Sequence, residues 1–574
     1  MGKLLRFLKG YEKESVFGPL FKLLEATLEL FVPLIVASLI DVGIANRDLG
    51  YITKMFILLI VLGIVGLAFS LTAQFFAAKA AVGFVKKIKH ALFKHMEELS
   101  YAEIDQLGTS AMVNRMTSDM NQVQSGMNMS LRLLLRSPFV VMGAFIMAWT
   151  IDGQAAKVFG LTILGLTVIV YGIMLVTIPL YRKVQQKLDG VLAATRENLV
   201  GVRVIRAFGL EQAEKEEFSD KHGELTGSQK FVGSISALMN PLTYIVINLG
   251  VAVLIWQGAI RVEYGILTQG AVVALYNYMA QILEELIKLA NMVVLLTKMV
   301  ASGNRIQNVL EMESSQTFPE ETDTKGCKDM PHIVFENVSL KYGGAGEESL
   351  SNLNFGIRKG QVVGVIGGTG SGKTSLINMI PRFYDATYGK VYVDGIDVKK
   401  YKKEDIRGKV GIVPQKAVLF KGTIRDNICW GNPEACEEDI WKALRIAQAE
   451  EVVQSKEGKL DFMIAQNGRN LSGGQRQRLT IARALVRKPE ILILDDSSSA
   501  LDYATDANLR KALQEMEETP TIFIVSQRTV SIQHADIILV LDDGEIVGMG
   551  THEELLKFCE IYQEIYASQF KKEV

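Results

Sequence analysis

Residues 55–78 form a run of 24 amino acids without one charged side chain. A helix needs about 20 consecutive apolar residues to cross a bilayer, so this stretch predicts a membrane-spanning helix over 55–85. Five further segments are nearly as apolar, at about 16–40, 131–151, 158–182, 231–260 and 265–301, which makes six. Composition agrees, because 574 residues with 49% hydrophobic content and a mean hydropathy of +0.20 are too many for one domain and too apolar for a purely soluble chain. Residues 1–15 carry Lys3, Arg6, Lys9 and Lys13 among Leu4, Leu5, Phe7 and Leu8. A signal peptide is the competing reading, but no small-residue cleavage site follows, and an amphipathic helix on the cytosolic membrane face fits better.

Lys and Arg are retained on the cytosolic side of a membrane. Residues 79–136 and 182–230 are long and rich in both, whereas 41–54, 152–157 and 261–264 are short and nearly free of them. Both chain termini are therefore expected inside, in a multi-pass protein of the cytoplasmic membrane. A net charge of −1 offers no basic field for nucleic acid. Cys327, Cys429, Cys436 and Cys559 show no CxxC spacing, which argues against a zinc site and for reduced thiols.

Residues 313–331 are polar, contain Pro and Gly, lack periodicity and read as a linker between a membrane domain at 1–312 and a soluble domain at 332–574. The soluble part opens with a strand at 333–342. Val362, Val363, Gly364, Val365 and Ile366 form an apolar strand that runs into Gly367-Gly368-Thr369-Gly370-Ser371-Gly372-Lys373-Thr374. This is the G-x-x-x-x-G-K-[ST] phosphate loop in its strand, loop and helix context. Its glycines permit close backbone approach to phosphates, Lys373 reaches the β- and γ-phosphates, and the Thr374 hydroxyl is a Mg²⁺ ligand. About 100 residues later, Leu471-Ser472-Gly473-Gly474-Gln475 opens a helix, whose free N–H groups favour a phosphate. Residues 491–494 are apolar on both faces, as a strand covered by helices must be, and Asp495 at their carboxyl end stands where a Mg²⁺ ligand is useful.

With both motifs in place, residues 332–570 resemble the nucleotide-binding domain of an ABC transporter. The resemblance implies a multidomain chain, a six-helix all-α transmembrane domain followed by an α/β P-loop ATPase that uses ATP and Mg²⁺. It further implies head-to-tail pairing of two such domains, with each ATP held between the phosphate loop of one and the LSGGQ of the other. By the same resemblance Tyr342 matches the aromatic on which adenine stacks, although a Tyr at a strand end is often only core. Gln415 matches the glutamine that contacts Mg²⁺ and the attacking water, and residues 499–502, ending at Asp502, match the turn that crosses the dimer interface. The long cytosolic loops are similar to the intracellular extensions of type IV exporters, with 108–124 and 199–218 as coupling segments; a solvated amphipathic helix is the plainer alternative.

Two positions depart from the hydrolytic pattern. Where the family's general base would be Glu the chain has Asp496, and where its switch histidine would be the chain has Gln527. Gln466 also replaces the Glu that many exporters carry ahead of the signature. The resemblance is therefore to the degenerate-site subunit of bacterial heterodimeric multidrug exporters. The expected partners are a second half-transporter carrying Glu and His at those positions, membrane lipid and an amphipathic small molecule. A homodimeric lipid or peptide exporter and an ATP-gated channel or regulator remain as alternatives. Lys22, Glu25 and Glu29 share one face of the first span, and Glu284 and Glu285 interrupt the sixth. Such charges face the bundle interior, either paired internally (Lys22 with Glu25, Glu285 with Lys288) or, for Glu29 or Glu284, attracting a cationic substrate.

Overall fold

The computed structural model of the protein describes residues 1–323 and 330–569, which fall into two compact units, 1–97 with 110–312 and 98–109 with residues from 313 onward. Cys327, part of the predicted linker and the last five residues lie outside the described residues.

The first unit is helical. It comprises α1 (Glu12–Ser38), most of α2 (Leu49–Glu98), then, beyond α3 (Tyr101–Leu107) and α4 (Thr109–Asn114), α5 (Met120–Leu133), α6 (Arg136–Ile151), α7 (Gly153–Phe208), α8 (Glu211–Ala237), α9 (Met239–Glu263) and α10 (Gln269–Leu310). Among the described residues six helical stretches are long and apolar enough to cross a membrane. All six outrun the apolar segments that announce them. The 56 residues of α7 extend roughly 84 Å at 1.5 Å per residue, against about 30 Å of hydrocarbon, because polar residues continue the helix beyond the lipid-like part. The segment expected at 231–260 is interrupted at Leu238, ahead of Pro241 in the first turn of α9, where a missing N–H is tolerated. The N-terminal segment is not one amphipathic helix over 1–15. It is a short 3₁₀ turn at Gly2–Leu8 with Leu4 buried, closed by Gly10 at φ +88° before α1 begins.

Small side chains let these helices approach closely: Ala26, Ala37, Ala144, Ala148 and Ala274 interleave with Phe159 and Tyr278. Gly270 is required at its position, since a Cβ there would fall 2.3 Å from the Ala37 carbonyl oxygen, while its N–H donates to Asp41 at 2.7 Å. By contrast the most apolar window of α2 contains no buried residue, and Phe56, Ile64, Leu67 and Leu71 point outward, as on a lipid-facing or partner-facing helix.

The charges singled out in the first and sixth spans are paired. Lys22 Nζ donates to Glu25 at 2.6 Å and Lys288 Nζ to Glu285 at 3.0 Å. Glu29 and Glu285 also share Arg136, whose Nη2 donates to Glu29 at 2.6 Å and whose Nη1 donates to Glu285.

The second unit is built on three sheets. An antiparallel sheet has the order β2 (Leu350–Ile357), β1 (Ile333–Leu340), β4 (Tyr388–Val393), β5 (Ile396–Asp397). The main sheet has the order β12 (Glu545–Gly550), β11 (Ile537–Asp542), β3 (Val362–Gly367), β10 (Thr521–Val525), β9 (Ile491–Asp495), β6 (Val410–Val413), parallel except at β12. A two-residue pair, β7 (Gly422–Thr423) and β8 (Met463–Ile464), completes the set. In β9, Ile491 and Ile493 enter one hydrophobic core, while Leu492 and Leu494 enter the other. The strand is apolar on both faces because it separates two cores.

Candidate functional site

Parallel strands bring their carboxyl ends to one edge, and neighbouring β3, β10, β9 and β6 deliver the residues singled out by sequence there. The phosphate loop leaves β3 and enters the helix α11 (Lys373–Met379). Gly370 and Gly372 adopt φ +86° and +92°, and a Cβ on Gly372 would meet the Ser349 carbonyl oxygen at 2.6 Å, so the loop's course requires glycine there. Lys373 Nζ folds back over the loop, donating to the carbonyls of Gly367 at 3.0 Å and Gly368 at 2.5 Å and to Ser371 Oγ at 3.3 Å. Burial pushes its ammonium pKa down, against the opposing pull of Asp495 and Asp496.

Asp495 ends β9 and is buried. Thr374 Oγ1 donates to its Oδ2 at 3.2 Å, which joins the first turn of α11 to the end of β9. Burial pushes the Asp495 carboxyl up, with Asp496 adding to the rise and Thr374 and Lys373 opposing it. A buried carboxylate beside a hydroxyl favours a nearby cation. The donors, Thr374 Oγ1, the Asp495 carboxylate and the Gln415 side chain, are hard oxygen ligands that suit Mg²⁺ carrying its own waters and phosphate oxygens. Among the described residues no group of three His, Cys, Asp or Glu side chains forms an all-protein metal cage.

Asp496 follows at φ +44°, a left-handed backbone that Asp tolerates better than most residues. Its N–H donates to the Val525 carbonyl at 2.9 Å, and its own carbonyl accepts from Ser499 Oγ at 2.8 Å. Gln415, two residues beyond β6, points its Nε2 at Asp496 Oδ2 across 3.5 Å. Gln527 lies exposed two residues beyond β10, its carbonyl accepting from Gln569 Nε2 at 2.7 Å. Phosphate loop, Asp495, Asp496, Gln415 and Gln527 therefore line one edge.

Tyr342 stands two residues beyond β1, half-buried, with its hydroxyl donating to Ser375 Oγ at 2.9 Å in the first turn of α11. The strand predicted to reach it stops at Leu340.

The LSGGQ residues open the next helix, and Gly473 lines one cavity with Gln415 and Ala500. Ser472 caps the helix Gly473–Leu485 in a reciprocal pair, accepting from Gln475 N–H at 3.3 Å while Ser472 N–H donates to Gln475 Oε1 at 3.1 Å. Leu471 is buried, Gly473 has open space around its Cα, and a Cβ on Gly474 would sit 3.0 Å from the Ala500 carbonyl. Asp502 caps the helix Tyr503–Gln514 through Thr505 N–H at 2.9 Å. Sequence reasoning missed Ser375, Arg136 and Tyr384. Arg136 carried a visible signal, as one of only two cations, with Arg132, within the apolar segment 131–151.

Two family models match the chain, the "ABC transporter transmembrane region" over residues 16–286 and "ABC transporter" over 350–499. The ABC transporter ATP-binding protein YfiB of Bacillus subtilis is 34% identical over 573 residues, covering 100% of this chain and 99% of that protein. The putative multidrug export ATP-binding/permease protein YgaD, also of Bacillus subtilis, is 28% identical, with 99% of each chain covered. A solved bacterial Atm1-family ABC exporter with ATP bound has the same fold at a TM-score of 0.81, with 22% identity over 98% of this chain and 99% of that one.

Proposed function

The chain belongs to the ABC transporter family, joining that family's membrane region and ATP-binding domain in one polypeptide, and on this premise we propose that it is one half of a heterodimeric exporter of amphipathic compounds. Its termini and ATP-binding domain, taken as residues 332–574 after a linker at 313–331, face the cytosol of a bacterial-type cell. The Lys and Arg content of residues 79–136 and 182–230 supports that orientation. The multidrug class is favoured by the name borne by YgaD.

The single observation that carries the heterodimeric reading is the pairing of an intact phosphate cradle with Asp496 and Gln527 at the ends of β9 and β10. Gly367, Gly368, Thr369, Gly370, Ser371 and Gly372 wrap the phosphates, Lys373 exchanges its loop carbonyls for β- and γ-phosphate oxygens, and Tyr342 carries the adenine. Thr374, Asp495 and Gln415 are the residues that would hold Mg²⁺, which would neutralise phosphate charge. Asp is one methylene shorter than Glu, which withdraws the carboxylate by ~1.5 Å from a water that a base must approach within ~2.6–3.2 Å. Gln527 can hydrogen-bond a γ-phosphate but cannot become a cation. This chain's own site thus binds ATP and turns it over slowly, while Leu471, Ser472, Gly473, Gly474 and Gln475, with Asp502 beside them, complete the partner's site.

The test is asymmetry in the purified two-chain complex. Asp496→Asn is expected to lower ATPase by at most about twofold, whereas Gly474→Asp, which sets a carboxylate against the partner's γ-phosphate, is expected to lower it by about 100-fold. Comparable losses from the two substitutions, or a fully active homodimer, would overturn the reading.

A further inference from the structure

We propose that Tyr384 is a positioning residue that couples a base stacked on Tyr342 to the cytosolic helix α3; the inference rests on the ATP-site reading above. Tyr342 is held at two points. Its hydroxyl donates to Ser375, and its ring meets that of Tyr384 edge to face, centroids 5.0 Å apart and planes at 88°. Tyr384 is held in turn from α3, because its hydroxyl donates to Asp105 Oδ2 at 2.6 Å. One turn earlier on α3, Tyr101 stacks on Phe383 at 4.7 Å and lies 6.1 Å from the Tyr384 ring. Two side chains on one face of α3 therefore grip the consecutive aromatics 383 and 384.

The remaining contacts fix the frame around this grip. The Arg407 guanidinium lies 5.3 Å from the Phe383 ring, and Glu103 in α3 accepts from Ser315 N–H at 3.2 Å. Burial, then the Asp105 carboxylate, hold the Tyr384 phenol well above its ordinary pKa, so it stays a donor. A phenol donating to a carboxylate is a charge-assisted, directional bond. A base on Tyr342 loads a ring that cannot tilt without moving Tyr384, and Tyr384 cannot move without altering its bond to Asp105. Packing alone would be served by Phe at 384; the hydroxyl adds a link to α3. Linkage makes the effect reciprocal, so the position of α3 must change the affinity for the base by the same factor as the base changes α3.

The experiment is amide hydrogen exchange over residues 98–109 in the full-length transporter in lipid nanodiscs, without nucleotide, with saturating ATP and with saturating inorganic triphosphate. Nucleotide binding is titrated separately with a fluorescent ATP analogue. ATP is expected to slow exchange at least fivefold, near the lower end of measured couplings, and triphosphate, which fills the loop without a base, is expected to leave it unchanged. Tyr384→Phe keeps both ring contacts and is expected to remove most of the ATP response while weakening ATP binding by the same factor. Asp105→Asn, which keeps a neutral acceptor, is expected to retain part of it. Equal protection by triphosphate and ATP, ATP bound with no response in the loop, or a full response in Tyr384→Phe would each overturn the coupling and leave the ATP-site reading standing. Absence of any ATP binding would overturn both.

Discussion

The node around Arg136 permits a stability prediction with a worked magnitude. Arg136 and Glu285 are almost wholly buried, at 7% and 3% side-chain exposure, and Glu285 also accepts from Ser137 Oγ at 2.7 Å and Lys288 Nζ at 3.0 Å. Arg136→Met keeps most of the aliphatic stem but leaves Glu285 with one cation where it had two, and Glu29 with none. Removing one member of a buried pair costs about 3–5 kcal/mol, and the surviving Lys288 contact favours the lower end. At about 2.1 cal/mol/K per residue, a unit of about 300 residues has an unfolding entropy of about 0.63 kcal/mol/K, so a loss of about 3 kcal/mol lowers the apparent Tm by about 5 °C. The assay is thermal unfolding of the full-length protein in detergent at a fixed scan rate. Adding Glu285→Gln to Arg136→Met removes the stranded charge while keeping an acceptor for Ser137, and most of the lost Tm should return. If Arg136→Met leaves Tm unchanged, or the double variant is no better than the single one, the pair is not a buried electrostatic node. In efflux assays Glu29→Gln should reduce transport of a cationic and a neutral dye equally, because the carboxylate is engaged by Arg136; a loss confined to the cationic dye would instead assign Glu29 to substrate recognition.

Lys373→Ala should abolish nucleotide retention at this chain's own site yet leave part of the complex's ATPase, since binding and water activation reside in different groups; retention by the variant equal to wild type would refute the role of Lys373. Acid should weaken the ATP-binding unit through Asp394, whose carboxyl is held well below its usual range, chiefly by His332 Nδ1 at 2.6 Å and also by Lys409 Nζ at 2.9 Å. A depressed carboxyl pKa contributes stability above the ordinary aspartate range, and that contribution fades as pH falls below about 4. Melts between pH 6 and pH 3 should therefore slope less steeply for Asp394→Asn than for the wild-type chain, and parallel curves would exclude this linkage.

What the sequence announces, and what it withholds, divides by range along the chain. Residues 367–374 carry their function in contiguous order, because a loop that wraps phosphates is made by local backbone, and Gly370 and Gly372 are glycine for reasons internal to the turn. The apolar run of β9 likewise reports its burial between two cores directly. Helix ends were less legible, since hydropathy marks only the lipid-length part of α7 and α10 while the helices continue through charged sequence. Partners brought together by tertiary packing were not legible at all. A carboxylate in an apolar segment demands a counter-charge without naming it, and the nearest helical neighbours, Lys22 and Lys288, supply one answer by spacing alone. The structure keeps both of those pairs and adds Arg136, 107 residues from Glu29 and 149 from Glu285. Tyr384 and Asp105 are 279 residues apart and meet only because α3 packs with the soluble unit. Spacing rules therefore identify the pairs a helix can make by itself, which for exposed charges are worth a few tenths of a kcal/mol. The contacts that tie α1 to α6 and α10, or α3 to the aromatics at 383 and 384, are those on which movement of a transporter has to act, and they lie outside the reach of any local pattern.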